Sequence, residues 1–151
     1  MSEDLCLRDA MIEDADILFA WANDKLTREN SFSKEPIEWD THIKWMINKI
    51  NDLNCKMYIL CNKDIPVGTI RYEVENNIAT ISFTISPSER KKSYGKKIIE
   101  LICKKITEQT DGVEYIEGLV YNNNVASQKC FECNEFKKIA NGEYVIFRKS
   151  V

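Results

Sequence analysis

A run of cations lies between a β-like segment and the start of an amphipathic helix. Five of the eight residues at positions 90–97 are Lys or Arg, although the chain carries a net charge of −3. The N–H groups of a first helical turn carry the positive end of the helix dipole, and neighbouring cations add charge for phosphate. The run therefore predicts a site for a phosphate-bearing ligand. The alternatives are a solvated lysine-rich helix start and a local nucleic-acid patch.

A second segment, residues 124–136, follows a further β-like run. The two segments together resemble the GNAT superfamily of acyl-CoA N-acyltransferases. The family's first motif, [Arg/Gln]-x-x-Gly-x-[Gly/Ala], stands here as Arg90-Lys91-Lys92-Ser93-Tyr94-Gly95. Its second motif, Asn-x-x-[Ala/Ser]-x-x-x-[Tyr/Phe]-x-x-x-Gly-Phe, stands as Asn124-Val125-Ala126-Ser127-Gln128-Lys129-Cys130-Phe131-Glu132-Cys133-Asn134-Glu135-Phe136.

Each motif lacks one glycine. Ser93 replaces the first glycine of the basic motif, and because serine is small we expect the turn to survive. Glu135 replaces the glycine of the second motif, where a left-handed helix end is common. Since Asn134 tolerates that geometry, we expect the left-handed turn to be displaced by one residue.

The resemblance implies acetyl-CoA as the donor. In the family the fourth and fifth strands splay apart at a bulge, and the pantetheine arm inserts between them like an added strand. The pyrophosphate is then taken by backbone amides of the basic turn, with side-chain cations nearby. The donor residues implied are Phe83, Thr84, Ile85, Arg90, Lys91, Lys92, Ser93, Tyr94, Gly95, Lys96, Asn124, Ser127 and Phe131.

The implied chemistry is direct attack of an amine on a thioester, which needs a base, an N–H donor for the oxyanion and an acid. Many relatives have a tyrosine acid where Phe131 stands, and phenylalanine cannot donate a proton. Ser127, one helical turn earlier, is the candidate acid, since some ribosomal-protein acetyltransferases are thought to use a serine there. Relatives often place a glutamate in strand four, where this chain has Thr80 or Ser82. The candidate bases are Glu73, Glu117 and His42.

The acceptor site of the family is lined by the first two helices and their connection. In this region the chain resembles a branch that acetylates the 4-amino group of nucleotide-linked amino sugars in pseudaminic-acid-type pathways. The acceptor residues implied are Trp21, Asn23, Arg28, Asn30, His42 and Trp45. The tryptophans have an alternative role as core residues. Alternative functions are N-terminal, ribosomal-protein or small-amine acetylation, and a non-catalytic acyl-CoA-binding module.

The elements that must position these residues follow from periodicity. Residues 5–8, 57–61, 67–72, 78–85 and 115–120 read as strands, and Asn141-Gly142 predicts a hairpin between two more. Helices are expected from residue 13, from Pro36, from about Gly95 and over 125–133, with residues 23–35 as a polar connection. The predicted order is βααβββαβαββ. This is an α/β (α+β) GNAT fold, a mixed and mostly antiparallel sheet of about seven strands with helices on both faces, in one domain spanning residues 1–151.

Composition narrows the class of protein. With 44% hydrophobic and 30% charged residues the chain is typical of soluble domains, and no apolar run approaches the ~20 residues of a membrane span. The acidic start, Met1-Ser2-Glu3-Asp4, is unlike a signal peptide, so we expect a cytoplasmic protein with six reduced cysteines. Cys130 and Cys133 form a CxxC pair, but a zinc site needs more ligands and the single histidine is distant in sequence. We therefore expect no metal, no nucleic acid, no membrane, and a monomer or homodimer.

Overall fold

The computed structural model describes residues 4–151; residues 1–3, which contribute most of the acidic start, lie outside the described part. Twelve main elements follow one another, with single 3-10 turns at Ile12–Asp14 and Pro87–Glu89. They are β1 (Leu5–Asp9), α1 (Ala15–Ala22), α2 (Lys25–Glu29), α3 (Trp39–Asn51), β2 (Cys55–Asn62), β3 (Ile65–Glu75), β4 (Ile78–Ile85), α4 (Tyr94–Gln109), β5 (Tyr115–Tyr121), α5 (Val125–Cys133), β6 (Lys137–Asn141) and β7 (Tyr144–Ser150).

The strands form one seven-stranded sheet in the order β1-β2-β3-β4-β5-β7-β6. Every pairing is antiparallel except that of β4 with β5, which is parallel. The predicted mixed sheet is therefore confirmed. The structure adds one element, because α2 forms inside the segment expected to be a polar connection. Asp24 starts this helix by accepting a hydrogen bond from the Thr27 amide at 3.2 Å.

Two hydrophobic clusters lie on opposite faces of the sheet, as the alternation along β2 shows. Tyr58 and Leu60 belong to the cluster under α4 and α5, whereas Met57 and Ile59 belong to the cluster under α1 and α3. Four isoleucines of α4, which recur at helical spacing, are fully buried: Ile98, Ile99, Ile102 and Ile106. Each contributes about 1.5–3 kcal/mol by burial. The helices therefore hold the sheet from both sides.

The parallel pair β4–β5 separates partway along its length. Residues 78–81 of β4 pair with residues 115–118 of β5, and the pairing ends at Ile81 and Gly118. β4 then continues to Ile85 beside β3, and β5 continues to Tyr121 beside β7. The expected splay is confirmed. The expected bulge is not found in the β3–β4 ladder, which runs without a register shift, so the strands diverge while β4 stays regular against β3.

The described residues also bear on the expected classes of site. None of the helices in residues 4–151 is long and apolar enough to cross a membrane. Within the same range no group of three or more His, Cys, Asp or Glu side chains is arranged to hold a metal ion. All six cysteines are free thiols, and two of them, Cys55 and Cys61, are buried.

Candidate functional site

The basic turn (residues 90–96) keeps the geometry of its glycine motif without the glycine. Ser93 is the N-cap of α4 and has a left-handed backbone, with φ of +65°. The first intrahelical hydrogen bond runs from the Lys97 amide to the Ser93 carbonyl at 3.2 Å, so residues 93–96 form the opening turn of the helix. The predicted survival of the turn is confirmed. A helix start with this geometry, flanked by lysines, suits an anion.

The side chain of Tyr94 anchors the basic turn from below. It is 3% exposed, and its hydroxyl accepts a hydrogen bond from Asn62 Nδ2 at 3.0 Å. Asn62 ends β2, so the turn is tied to the sheet rather than carried on a loose loop.

Gly95 allows α4 and α5 to approach closely. A Cβ at this position would lie 2.7 Å from the Cys130 sulfur, so any side chain would push the two helices apart. Asn134 strengthens the contact, since its Nδ2 donates to the carbonyls of Lys96 and Cys130 at 3.0 and 2.9 Å. Burial raises the pKa of the Cys130 thiol, which keeps it protonated and a poor nucleophile. This role of Cys130 and Asn134 was missed by sequence reasoning.

The end of α5 corrects one expectation. The left-handed residue is Glu135 itself, with φ of +67°, whereas Asn134 has φ of −99°, so the turn is not displaced. The amides of Phe136 and Glu135 donate to the carbonyls of Phe131 and Glu132 at 3.1 and 3.0 Å, and the two phenylalanine rings lie 5.1 Å apart. These paired bonds and the apolar contact are those of a Schellman motif, which holds the position against the preference of glutamate.

Phe131 is a core residue. Its ring is 2% exposed and stacks on Phe147, with ring centroids 5.3 Å apart. It also covers Gly118, the last residue of β5 that pairs with β4. The phenylalanine that replaces the family's tyrosine therefore packs at the point where the two strands begin to separate.

Ser127 lies at the start of α5, half-buried. Its amide donates to Asn124 Oδ1 at 3.3 Å, so Asn124 is the N-cap of this helix. Gln128 Nε2 donates to the carbonyls of Tyr121 and Asn122 at 3.1 and 2.9 Å, which fixes the turn between β5 and α5. The structure thus brings Ser127 and Asn124 next to the end of β5, beyond the separation of the strands.

Two of the candidate bases flank Thr80 on one face of the sheet. Thr80 of β4 is in register with Glu73 of β3 on one side and with Glu117 of β5 on the other. Strands lie ~4.8 Å apart, so the Cα atoms of the two glutamates are ~10 Å apart. Glu73 pairs with Lys49, and Glu117 accepts from Arg148 Nε at 2.6 Å. The side chain of Glu73 is 37% exposed and that of Glu117 only 13%, so Glu73 is the more accessible carboxylate.

His42, the third candidate base, lies between α1 and α3. It is 3% exposed, and its Nε2 donates to the Ala15 carbonyl at 3.1 Å. Its ring stacks against Trp45 with a centroid distance of 6.0 Å. Burial lowers the pKa of the imidazole, so the ring is neutral at physiological pH. The structure thus uses His42 to join two helices.

Two of the residues expected to line the acceptor site, Arg28 and Asn23, hydrogen-bond to backbone groups of the protein. Arg28 Nε donates to the Ala22 carbonyl at 2.7 Å, and its Nη1 donates to the carbonyls of Ser33 and Glu35 at 3.0 and 3.2 Å. Asn23 bonds both backbone groups of Ile37, at 3.0 and 2.7 Å. Together these side chains shape the strap (residues 30–37) that crosses from α2 to α3. The structure therefore gives Arg28 a structural role in this connection.

Of the remaining residues expected to line the acceptor site, two tryptophans pack on a hydrophobic cluster and one asparagine caps a helix. Trp21 is 6% exposed within the cluster under α1 and α3, which matches its alternative role as a core residue. Trp45 packs on the same cluster, with the Arg71 guanidinium 5.0 Å from its ring centre. Asn30 caps the end of α2, where its amide donates to the Leu26 carbonyl at 3.1 Å. None of these three contacts points to a ligand.

An aromatic cluster, Phe32, Tyr121 and Tyr144, lies where the strap meets the sheet. The ring centroids are separated by 4.9–5.4 Å, and the Tyr121 hydroxyl donates to the Phe32 carbonyl at 3.2 Å. Lys34 Nζ stands 4.4 Å from the centre of the Tyr121 ring. Phe32 is 57% exposed, which is unusual for so large an apolar side chain at a tight contact. Sequence reasoning missed this cluster, although Tyr121 ends a strand beside the expected opening.

Arg90 reaches across to α2. Its guanidinium forms an ion pair with Asp24 and donates to Thr27 Oγ1 at 3.1 Å. The interaction holds the pKa of Asp24 below its ordinary value, so the carboxylate is ionised at neutral pH. The expected phosphate-binding arginine is therefore paired within the protein.

Comparison with known proteins agrees with this geometry. The family model described as an acetyltransferase (GNAT) domain matches residues 4–137. No curated protein matches the chain significantly. Among solved structures, a domain from Methanocaldococcus jannaschii superposes with a TM-score of 0.86 at 22% identity, covering 99% of this chain and 100% of that one.

Two further similar structures contain coenzyme A. The aminoglycoside acetyltransferase AAC(6')-Ib with ribostamycin and coenzyme A has a TM-score of 0.86 at 16% identity, covering 97% of this chain and 93% of the other. RimL, a ribosomal L7/L12 alpha-N-protein acetyltransferase with coenzyme A, has a TM-score of 0.85 at 15% identity, covering 99% and 96%. At these low identities, the high TM-scores establish a shared fold. With the family model spanning most of the chain, the separated parallel pair and the basic helix start show that this chain belongs to the GNAT acetyltransferase family.

Proposed function

We propose that the chain is an acetyl-CoA-dependent N-acetyltransferase whose acceptor is the 4-amino group of a nucleotide-linked 4-amino-4,6-dideoxy sugar. The assignment of acetyl-CoA as the donor rests on the separation of β4 from β5 beyond Ile81 and Gly118, together with the left-handed helix start at Ser93. The acceptor half rests on the resemblance of residues 21–45 to an amino-sugar branch and on the aromatic cluster beside the opening.

The donor residues fit an acyl-CoA in chemical type. Past Ile81, β4 pairs with β3 on one edge only, so the backbone of Phe83, Thr84 and Ile85 offers an edge to an extended pantetheine arm. The opening turn of α4 supplies amides and the positive end of the helix dipole for the pyrophosphate. Lys91, Lys92 and Lys96 add charge around that turn. Arg90 is set apart, because Asp24 holds its guanidinium.

The chain offers an acid and a base for attack of the amine on the thioester carbonyl. Ser127, at the start of α5, is the group that would protonate the departing thiolate. Glu73 would accept the proton of the acceptor ammonium through a water molecule, since it lies on the sheet face of α1 and α3 just before the opening. We do not assign His42 as the base, because its ring is buried and its Nε2 is bonded to Ala15.

The aromatic cluster supports a sugar nucleotide as acceptor. Exposed rings suit stacking against a sugar face or a base, and Lys34 places a cation beside Tyr121, where a phosphate would be complemented. Tyr121 ends β5 past the opening, so an acceptor on the cluster would approach the end of the pantetheine arm. Arg28 and Asn23 would act on this surface indirectly, by shaping the strap.

The substrate experiment measures acetyl transfer from acetyl-CoA to three acceptors at matched concentration. These are a UDP-4-amino-4,6-dideoxy sugar, an aminoglycoside and a peptide with a free N-terminus. We expect the sugar nucleotide to have the highest kcat/KM by at least about tenfold, the discrimination that ~1.4 kcal/mol supplies. Efficient transfer to the peptide or the aminoglycoside would contradict the acceptor assignment and leave the donor assignment standing. Coenzyme A binding without any transfer would favour a non-catalytic acyl-CoA-binding module.

The role of Ser127 is tested with the acceptor that is turned over best. Ser127→Ala should lower kcat about 10²-fold or more, the lower range for loss of a general acid, while the Kd of coenzyme A stays within about twofold. Ser88→Ala is the matched control, since this serine is exposed and its hydroxyl bonds to that of Ser86 at 3.2 Å. Equal loss of kcat and of coenzyme A affinity would make Ser127 a binding residue instead.

A further inference from the structure

We propose that Arg90 is a positioning residue that ties the basic turn to α2, so that its side chain acts on the acceptor side of the site and not as a phosphate ligand. The inference rests on the proposed function, because it takes the basic turn as the donor site and α2 with the strap as the acceptor wall. Its basis is a set of contacts between segments that are more than 60 residues apart in sequence.

One oxygen joins the two segments. Asp24 Oδ2 accepts from Arg90 Nη2 and also from the Thr27 amide at 3.2 Å, which is the N-cap bond of α2. Arg90 Nη2 donates in addition to Thr27 Oγ1 at 3.1 Å. The same carboxylate therefore starts the helix and holds the guanidinium, so the position of α2 depends on the position of Arg90.

The helix needs such a tether. α2 has five residues and buries none of them, and helices this short are unstable by themselves. Its location is thus set by polar contacts at its two ends. Arg28 bonds the carbonyls of Ser33 and Glu35 beyond the C-terminal end, and the Asp24–Arg90 pair acts at the N-terminal end.

Charge balance supports this role over phosphate binding. The side chains of Arg90 and Asp24 are 31% and 21% exposed, so the pair is partly shielded from water and its attraction is stronger than that of a fully exposed pair. The carboxylate cancels most of the field that Arg90 would exert on an anion nearby. Lys92 and Lys97 pair with Glu89 and Glu100, close by in sequence, whereas the carboxylate that holds Arg90 is the one that starts α2.

The tether couples the two halves of the site. If donor binding orders the basic turn, it also orders α2 through Arg90, and by linkage an acceptor on α2 strengthens donor binding by the same factor. Arg90 therefore belongs to the machinery that brings the amine to the thioester, without touching either reactant.

The test compares Arg90→Gln with Arg90→Lys, which keeps a cation able to pair with Asp24. Arg90→Gln should speed hydrogen exchange of the amides of α2 and raise the KM of the acceptor about fivefold, the lower end of typical coupling. The Kd of coenzyme A, measured by calorimetry, should change less than about threefold. Exchange protection retained in Arg90→Lys would support the tether.

Two further variants separate the charge pair from helix capping. Asp24→Asn keeps a good N-cap but removes the charge, so it should resemble Arg90→Gln. Glu29→Gln removes a charge from an exposed side chain at the other end of the same helix, and should leave exchange and coenzyme A binding unchanged.

The exchange and calorimetry readouts need no acceptor, which keeps this test independent of the substrate assignment. Loss of coenzyme A affinity in Arg90→Gln, with unchanged exchange in α2, would overturn the inference and make Arg90 a phosphate ligand. If wild-type protein bound no coenzyme A, the proposed function would fail, whereas the exchange of α2 would still report on the tether.

Discussion

Two residues with side chains occupy backbone positions where the family has glycine. Ser93 and Glu135 have φ of +65° and +67°, and a Cβ in this left-handed region costs roughly 1–2 kcal/mol. In each case neighbouring contacts hold the residue: the buried Tyr94 anchors the first turn, and the Phe131–Phe136 contact closes the second. The chain thus keeps the family's geometry and carries strain at both motifs.

Relief of that strain at the end of α5 gives the first prediction. Glu135→Gly should raise the free energy of unfolding by roughly 0.5–1 kcal/mol, because glycine adopts the left-handed turn at no steric cost but loses more backbone entropy. Chemical denaturation measures the change. Glu132→Gly, in the body of the same helix, should instead lower stability by roughly 0.5–1 kcal/mol. A destabilised Glu135→Gly variant would show that the carboxylate has a contact that offsets the strain.

The second prediction at the residue scale concerns pH. Burial lowers the pKa of His42 below its ordinary value of 6.5, so the folded protein favours the neutral ring. Because the pKa of His42 is lower in the folded state than in the unfolded chain, the stability linked to the neutral ring is fully present above pH 6.5. That stability is lost as the pH falls through the folded-state pKa. Thermal unfolding should show Tm falling in that acidic window.

His42→Gln isolates this effect, because the amide Nε2 can still donate to the Ala15 carbonyl and does not titrate. His42 is the single histidine of the chain, so the variant should lose the slope just below pH 6.5. An unchanged pH profile in His42→Gln would assign the slope to carboxylates.

At the scale of elements, the contact between α5 and β5 sets the place where the sheet opens. A Cβ on Gly118 would lie 2.5 Å from Phe131 Cε1, well inside contact distance. Because Phe131 is enclosed by Phe147 and Phe136, its ring has no room to move aside. The close packing of this helix on a glycine in the strand therefore stabilises the fork, the point where β4 and β5 separate.

The prediction for this contact is a loss of stability on Gly118→Ala. Overpacking of this kind costs about 1–3 kcal/mol, which denaturant unfolding detects directly. Gly142→Ala is the matched control, since a Cβ there meets nothing within 4 Å, and it should change stability by less than about 0.5 kcal/mol. Equal effects of the two substitutions would show that the Phe131 ring can be displaced freely.

At the scale of the whole molecule, the two faces of the sheet serve different halves of the site. The face under α4 and α5 holds the basic turn and the fork, whereas the face under α1 and α3 holds the strap and the glutamates beside Thr80. The proposed donor lies between strands, so its binding should stiffen the sheet itself and not only a surface loop.

Coenzyme A at about 100 times its Kd should therefore add ~2.7 kcal/mol to the free energy of unfolding. Hydrogen exchange should slow most at residues 82–85 and 93–96, where the arm and the pyrophosphate are proposed to bind. Lys138, on the exposed edge strand β6, provides an internal control whose exchange should not change. Slower hydrogen exchange confined to the basic turn, with residues 82–85 unaffected, would contradict insertion of the arm between the strands.

Much of the fold was predictable from local patterns. The isoleucines of α4 repeat at helical spacing, and the turn at Asn141-Gly142 separates β6 from β7 as expected. α2 was not predicted, because its five residues include a single apolar side chain, Leu26, and bury nothing, which leaves no apolar period. The displaced turn at Asn134 was wrong, because intrinsic preference for left-handed backbone was overruled by the hydrogen bonds and ring contact around Glu135.

The sequence by itself determined the order of the elements other than α2, the two motifs and the family, because hydrophobic period and turn residues act over a few neighbouring positions. Only the tertiary structure decided what the charged and aromatic side chains do. Arg28 and His42 bind backbone carbonyls, Arg90 pairs with Asp24, and Phe32 meets Tyr121 across 89 positions of sequence. Such partners are chosen by the distance between folded segments, and local patterns carry no record of that distance.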